Sequence, residues 1–239
     1  MKGMILAAGL GTRLKPFTDK HPKALAPVNG KPLLLRNMEY LASFGVNDLI
    51  VNVHHFADQI EDFLRDHTPP GIRVQISDER DAVLETGGGL KKAAHFFNDG
   101  QTFVLMNVDI LTRLDLHAML SWHRAQQANV TLAVSQRESS RCFLWDRENR
   151  LCGWRNRQSG EERITRPSAE SLTEKSFSGI HLIEPAFLQH LGEGSRFSIV
   201  DTYLEAAASE RIMGYDHTGV DVLDVGKPES VLKAEQLFL

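Results

Sequence analysis

The sequence predicts an α/β protein in which a mostly parallel central sheet is covered by helices on both faces. Two observations predict it. Short apolar runs alternate with segments of helical period through the first 135 residues. Several of those runs are apolar at successive positions, the pattern of strands buried from both sides rather than one.

The elements follow in chain order. "GMILA" at 3–7, "LIVNV" at 49–53, "VQIS" at 74–77, "FVLMNV" at 103–108 and "VTLAV" at 130–134 read as strands. Leu34, Met38 and Leu41 recur at i, i+4 and i+7, as do Leu116, Leu120 and His123, while Ile60, Phe63 and Leu64 fall at i, i+3 and i+4. Each set marks the buried stripe of a helix, and Pro32 suits the first turn of the earliest one. Residues 136–177 are polar and turn-rich, with short strands expected at "FLWD" (143–146) and "LCGW" (151–154). "FSGIHLI" (177–183) is a strand again, Pro185 begins a short helix, and Ser198 with Asp201 resembles a capping box opening another. "IMGY" (212–215) and "DVLDV" (221–225) are the last strands and "KPESVLKAEQLF" the last helix. Nothing repeats and nothing is of low complexity. A single domain, 1–239, with a small β-rich excursion around 136–178, is expected.

Composition narrows the partners. Lys and Arg number 27 against 31 Asp and Glu, a net charge of −4, and no basic tract of the kind that grips a nucleic-acid backbone is present. No apolar stretch approaches the ~20 residues of a membrane helix, and the N-terminus lacks the charged region and long apolar core of a signal peptide. A cytoplasmic protein with neither nucleic acid nor membrane as partner is expected. Cys142 and Cys152, ten positions apart, fit two free thiols.

The chemistry concentrates in "MILAAGLGTRLKPFTDKHPKAL", residues 4–25. Ligands of parallel α/β sheets sit at the carboxyl edge of the strands, so the loop after the first strand is the first candidate site. Gly9 and Gly11 let the backbone approach a ligand closely, and N–H groups exposed there can cradle an anion. Arg13 and Lys23 add a planar cationic fork and a point charge, while Pro16, Pro22 and Pro27 restrict the loop. Such a loop suits a triphosphate. It is neither GxxxxGK[ST] nor GxGxxG, because Gly9-Leu10-Gly11 runs on into Thr12, Arg13 and Leu14.

Gly9, Gly11, Thr12, Arg13, Leu14, Pro16, Thr18, Pro22, Lys23, Leu25 and Pro27 together resemble the signature of the sugar-1-phosphate nucleotidylyltransferases. That signature is roughly G-x-G-[ST]-R-[LM]-x-P-x-T followed by P-K-x-[LM]-x-P. Within the family the chain looks most similar to N-acetylmuramate-1-phosphate uridylyltransferases and to mannose- or heptose-1-phosphate guanylyltransferase-like proteins. The resemblance implies a three-layer, Rossmann-like fold, Mg2+ or another divalent cation, and the reaction NTP + sugar 1-phosphate → NDP-sugar + pyrophosphate. It places Arg13 on the triphosphate and Lys23 on the α-phosphate or the attacking phosphate. It makes metal ligands of Asp109 and Asp224, each at a predicted strand end, the second ahead of Gly226-Lys227-Pro228-Glu229. Asn107 stands where the family often has glycine.

The resemblance also assigns the nucleotide and sugar sides. Leu6, Ala7, Ala8 and Gly9 are implied on the base or its ribose, with Gly11 and Thr12 in the same nucleotide site. "LETGGGLKKA" (84–93) stands where the family contacts the base, which brings in Glu85, Thr86 and Gly88. Thr86 alone reads equally as a helix cap. Gly179 matches a family glycine near the sugar. Glu174-Lys175-Ser176 stands in place of Glu-Lys-Pro, so Lys175 is read either as a sugar-phosphate ligand or as a solvated surface lysine. Trp154 and Arg155 face either the sugar or the core, Asp221 is structural, and His54 and His55 receive no role.

Two other functions compete. A CTP-dependent cytidylyltransferase acting on phosphocholine or a similar non-sugar phosphate shares the opening signature. A non-catalytic nucleotide-sugar-sensing homologue would have lost Arg13, Lys23 or the aspartates, and all four are present. A dinucleotide-dependent dehydrogenase would need the third glycine and an acidic residue after the second strand, where "VNVHHF" stands instead.

Overall fold

The computed structural model describes residues 1–169 and 171–238. The chain begins with β1 (Lys2–Leu6), a hairpin of β2 (Pro27–Val28) and β3 (Lys31–Pro32), α1 (Leu33–Ser43), β4 (Asp48–Val53), α2 (Ala57–His67) and β5 (Arg73–Asp78). Then come α3 (Glu85–Ala93), β6 (Phe103–Asn107), β7 (Ile110–Thr112), α4 (Leu116–Ala125) and β8 (Val130–Ser135). An all-β stretch follows with β9 (Arg141–Trp145), β10 (Leu151–Asn156), β11 (Glu162–Ile164) and β12 (Thr173–Ile183). The last elements are α5 (Ile199–Ala206), β13 (Ile212–Asp216), β14 (Val222–Asp224) and α6 (Pro228–Leu237).

β1 runs parallel to β4 on one side and to β6 on the other, and β5 continues the parallel order beyond β4. The parallel run stops at β6, because β12 lies antiparallel to it with Ile180 opposite Met106. The long β12 has two further neighbours besides β6. Its later residues pair with β8, which in turn carries β13 in parallel. Its first three pair with β9, from which β10 and β11 extend antiparallel. The expected β-rich excursion is therefore an extension of the same sheet. β12 starts four residues before its apolar run, because Thr173, Glu174 and Lys175 pair with Trp145, Leu144 and Phe143.

Successive strand residues face opposite layers, which is why the runs are apolar throughout. Ile5, Val51 and Met106 meet Leu34, Met38 and Leu41 of α1, Ile60 and Leu64 of α2, and Leu116 and Met119 of α4. Their neighbours Met4, Ile50 and Leu105 meet Leu90 and Ala93 of α3 and Ile199, Tyr203 and Leu204 of α5. Burying each large side chain contributes about 1.5–3 kcal/mol before entropy is counted. Asp115 caps α4 by accepting from the His117 and Ala118 amides (2.9 and 3.1 Å), and Ser198 caps α5 through the Val200 amide (3.2 Å). A third cluster joins Leu14, Ala26, Val28 and Leu33 to Leu111, Val225 and, from α6, Ala234, fastening the opening loop to the end of the chain.

Cys142 and Cys152 are free and buried. Among the described residues no helix is long and apolar enough to cross a membrane.

Candidate active site

The carboxyl ends of β1, β4 and β6 open into a cavity of about 300 Å3. Leu6, Ala7, Ala8, Gly9, Gly11, Thr12, Arg13, Lys23, Glu85, Thr86 and Asp109 all border it, so most of the residues expected from the sequence are brought together. Gly11 turns the loop with φ of +64°, and a Cβ there would stand 2.9 Å from Lys23 Cβ and from Thr18 Cγ2. The glycine thus lets the chain fold Lys23 back beneath the loop. Thr18 Oγ1 donates to the Gly11 carbonyl (2.9 Å) and holds that turn.

Asp109 and Asp224 meet because β14 pairs antiparallel with β7, setting Asp224 opposite Ile110. The Val225 amide donates to the Asp109 carbonyl (2.8 Å). The half-buried Asp109 carboxylate is ion-paired with the buried Lys23 ammonium. Arg13 Nη2 lies 4.0 Å from Asp224 Oδ2, whereas Asp224 Oδ1 is buried without a partner among the described residues. Burial and the nearby charge of Asp109 push the Asp224 carboxyl up, against the pull of Lys23, Arg13 and Arg137. An orphaned, repelled carboxylate oxygen beside a second carboxylate fits a divalent cation. The donors are hard oxygens, and no group of three or more His, Cys, Asp or Glu side chains gathers among the described residues. That set suits Mg2+, which keeps waters and substrate phosphates in most of its positions.

On the opposite wall stand two residues that the sequence reading missed. Asn52 Oδ1 accepts from the Ala7 amide (2.7 Å), and its Nδ2 donates to Glu79 Oε1 (2.8 Å). Glu79 is 2% exposed and borders the cavity, with Oε2 lacking a partner among the described residues. Burial raises its pKa. The signals were present: Asn52 is the polar residue within "LIVNV", and Glu79 directly follows a parallel strand at the ligand edge.

Other expected residues sit elsewhere. Gly88 does not border the cavity, because a Cβ there would lie 2.1 Å from the Ser195 carbonyl oxygen. Gly87 is likewise pressed by Phe197 (2.3 Å), so this pair of glycines serves the approach of the chain before α5. Glu85 borders the cavity, but its carboxylate pairs with Arg196 (3.0 Å). Thr86 Oγ1 accepts from the Ile199 amide (3.0 Å), tying α3 to α5. Gly179, at φ of +73°, packs behind the Asp109 turn, where a Cβ would meet Ile110 Cγ1 at 2.6 Å.

Lys175 is neither a surface lysine nor a group facing the cavity. It is 8% exposed, donates to Asn149 Oδ1 (2.8 Å) and pairs with Asp216 (2.9 Å). Arg155 is bound to Glu162 and Glu174. The Asp221 carbonyl accepts from the Arg113 amide and from Thr112 Oγ1, a structural use. His54 Nδ1 donates to the Glu79 carbonyl (2.7 Å).

A parallel sheet ending in a glycine-bearing loop, with two cations and two carboxylates converging beneath it, defines an α/β enzyme that handles phosphates. The chain belongs to the nucleotidyl transferase family, whose model matches residues 2–143, and is a nucleotidyltransferase. It is similar to the N-acetylmuramate alpha-1-phosphate uridylyltransferase of Caulobacter vibrioides, 32% identical over 97% of this chain and 94% of that one. The enzyme of the same name from Neisseria meningitidis is 31% identical over 99% and 98% of the two chains. The crystal structure of HddC from Yersinia pseudotuberculosis superposes with a TM-score of 0.80 at 25% identity, over 100% of this chain and 99% of that one. The family read from the opening signature is the family found.

Proposed function

We propose that the protein transfers the uridylyl group of UTP to N-acetylmuramate 1-phosphate, giving the UDP-sugar and pyrophosphate. The observation that carries the transfer chemistry is the convergence of Lys23, Arg13, Asp109 and Asp224 at one end of the cavity. The choice of substrates follows the two uridylyltransferases matched over nearly their whole length. A mannose-1-phosphate guanyltransferase of Hypocrea jecorina is 26% identical and is matched over 64% of its length.

An oxygen of the acceptor phosphate attacks the α-phosphorus, a new P–O bond forms, and the bond to the β-phosphate oxygen breaks. The attacking oxygen is already ionised, so catalysis is positioning and charge neutralisation. The half-exposed Arg13 fork holds the β- and γ-phosphates. Lys23 has three donors, and pairing with Asp109 leaves others for the α-phosphate, where charge grows in the transition state. Asp109 and Asp224 would hold Mg2+, which would neutralise charge on the phosphate oxygens. Amides of the Gly9–Thr12 loop face the triphosphate. Asn52 fixes Glu79, whose free Oε2 accepts the N–H of the base.

The test is pyrophosphate release with Mg2+ across four NTPs and a panel of acceptors. The panel contains N-acetylmuramate, N-acetylglucosamine, glucose, mannose and heptose 1-phosphates, plus phosphocholine. The best turnover is expected with UTP and N-acetylmuramate 1-phosphate. Preference for GTP with mannose or heptose phosphate would overturn the substrate assignment, and turnover only with CTP and phosphocholine would overturn the sugar.

A further inference from the structure

We propose that Arg141, at the rim of a second cavity beside the reaction centre, reads an anionic substituent on the acceptor's sugar ring and so selects the acceptor. The inference rests on the transfer reaction proposed above and names the group that selects its acceptor.

This cavity, about 190 Å3, is bordered by Arg141, Phe143, Trp154, Phe177 and Val200. Its position follows from the sheet. β12 is antiparallel to β6 with Ile180 opposite Met106, so Phe177 lies beyond the carboxyl end of β6, at the edge that carries Asp109. Arg137, just past β8, donates to the Phe177 carbonyl (2.7 Å). On the other side, Thr86 of the nucleotide cavity is bonded to Ile199, the neighbour of Val200. The two cavities therefore flank one another along the ligand edge.

The chemistry of the walls is uneven. Phe143 and Trp154 are cross-strand partners on β9 and β10, and Phe143 meets Phe177 edge-on at 6.0 Å between ring centroids. Such an aromatic surface suits the C–H face of a pyranose and an acetamido methyl. Arg141 stands on the same face of β9 as Phe143, two residues along. Its amide bonds to Ser139, but its guanidinium has no hydrogen-bond or ion-pair partner among the described residues. Nearby arginines differ: Arg155, Arg157, Arg163 and Arg166 each pair with a carboxylate. A free planar fork at the rim of an aromatic pocket matches a carboxylate in bidentate geometry. N-acetylmuramate bears a lactyl carboxylate that N-acetylglucosamine lacks, and the two are otherwise the same ring.

The pair gives a direct test. Wild type, Arg141→Gln and Arg141→Lys are compared with both 1-phosphates, as KM where the sugar is turned over and as an inhibition constant where it is not. Arg141→Gln should weaken the muramate acceptor roughly tenfold to a hundredfold, the scale of a lost charge-assisted hydrogen bond. The neutral acceptor and UTP should change less than about twofold, kcat should hold, and Arg141→Lys should fall between. An equal effect on both acceptors, or none on either, in an enzyme whose wild type is active would overturn the role of Arg141. Failure of the wild type with every sugar 1-phosphate would instead overturn the proposed transfer, and it is seen before any variant is made.

Discussion

At the cavity beside the strand ends, two carboxylates stop short of saturation: Asp224 Oδ1, at the end of β14, and Glu79 Oε2, just past β5, are buried without partners among the described residues. In the antiparallel extension the charges of Glu174, Asp146 and Lys175 are matched. Glu174 is held by Arg155 and Arg157, which keep its carboxyl below the usual range, Asp146 by Arg166, and Lys175 by Asp216 and Asn149. An unpaired buried acceptor costs stability, whereas a paired one supports the fold. The contrast teaches a criterion. Of these carboxylates, the two left incomplete are the ones proposed to meet a ligand, and the charges that complete one another hold the sheet.

The criterion breaks most visibly at Asp224. Burial and Asp109 disfavour its ionised form, so Asp224→Asn relieves the native state while removing a proposed ligand of the cation. Turnover should fall by roughly a hundredfold or more, while the Tm measured in chelator holds or rises. Chelation of the wild type should remove turnover and added Mg2+ restore it. A variant with a lower Tm and intact turnover would place Asp224 among the structural charges. Lys175→Met, the opposite case and the next largest effect, removes one partner of a mostly buried pair. A loss of about 2 kcal/mol is expected, a Tm fall of roughly 4–8 °C, with kcat per folded molecule unchanged. Loss of activity without loss of stability would return Lys175 to the site.

The same division separates what was legible in the sequence from what was not. The parallel half announced itself through continuous apolar runs, and the opening loop through the spacing of Gly9, Gly11, Arg13 and Lys23, all local signals. Asp109 and Asp224 were legible as strand ends, but the pairing that joins them was not, since β7 is three residues long and carries no period. Gly88 reads as a ligand glycine, yet its constraint comes from Ser195, distant in sequence. The partners of Lys175, Asn149 and Asp216, lie on separate elements that no spacing rule links to it. Asn52 and Glu79 combine both failures. Each sits at a legible strand end, but their mutual bond is a contact between strands.

Glu79 offers the smallest and most diagnostic effect. Desolvation raises its folded pKa above its unfolded value, outweighing the hydrogen bond from Asn52 and the weaker pull of the Leu84 amide, Lys92 and His54 toward the carboxylate. The folded protein therefore keeps a proton that the unfolded chain releases. The stability this group contributes is full below the unfolded value, about 4.3, and is lost as pH rises through the folded value. Gln does not titrate, so the Tm of Glu79→Gln minus that of wild type should widen in favour of the variant as pH is raised from 4 to 8. A difference flat with pH would mean that Glu79 carries no strained proton. UTP sharpens the test. If the base donates an N–H to Oε2, the bound carboxylate gains the partner it lacks, its pKa drops, and the widening shrinks at saturating UTP. The variant serves as the control for titration of the nucleotide's own phosphates. A gap that UTP leaves unchanged would place the open oxygen of Glu79 away from the base and leave the base to the backbone of residues 6–9 and the other residues of the cavity wall.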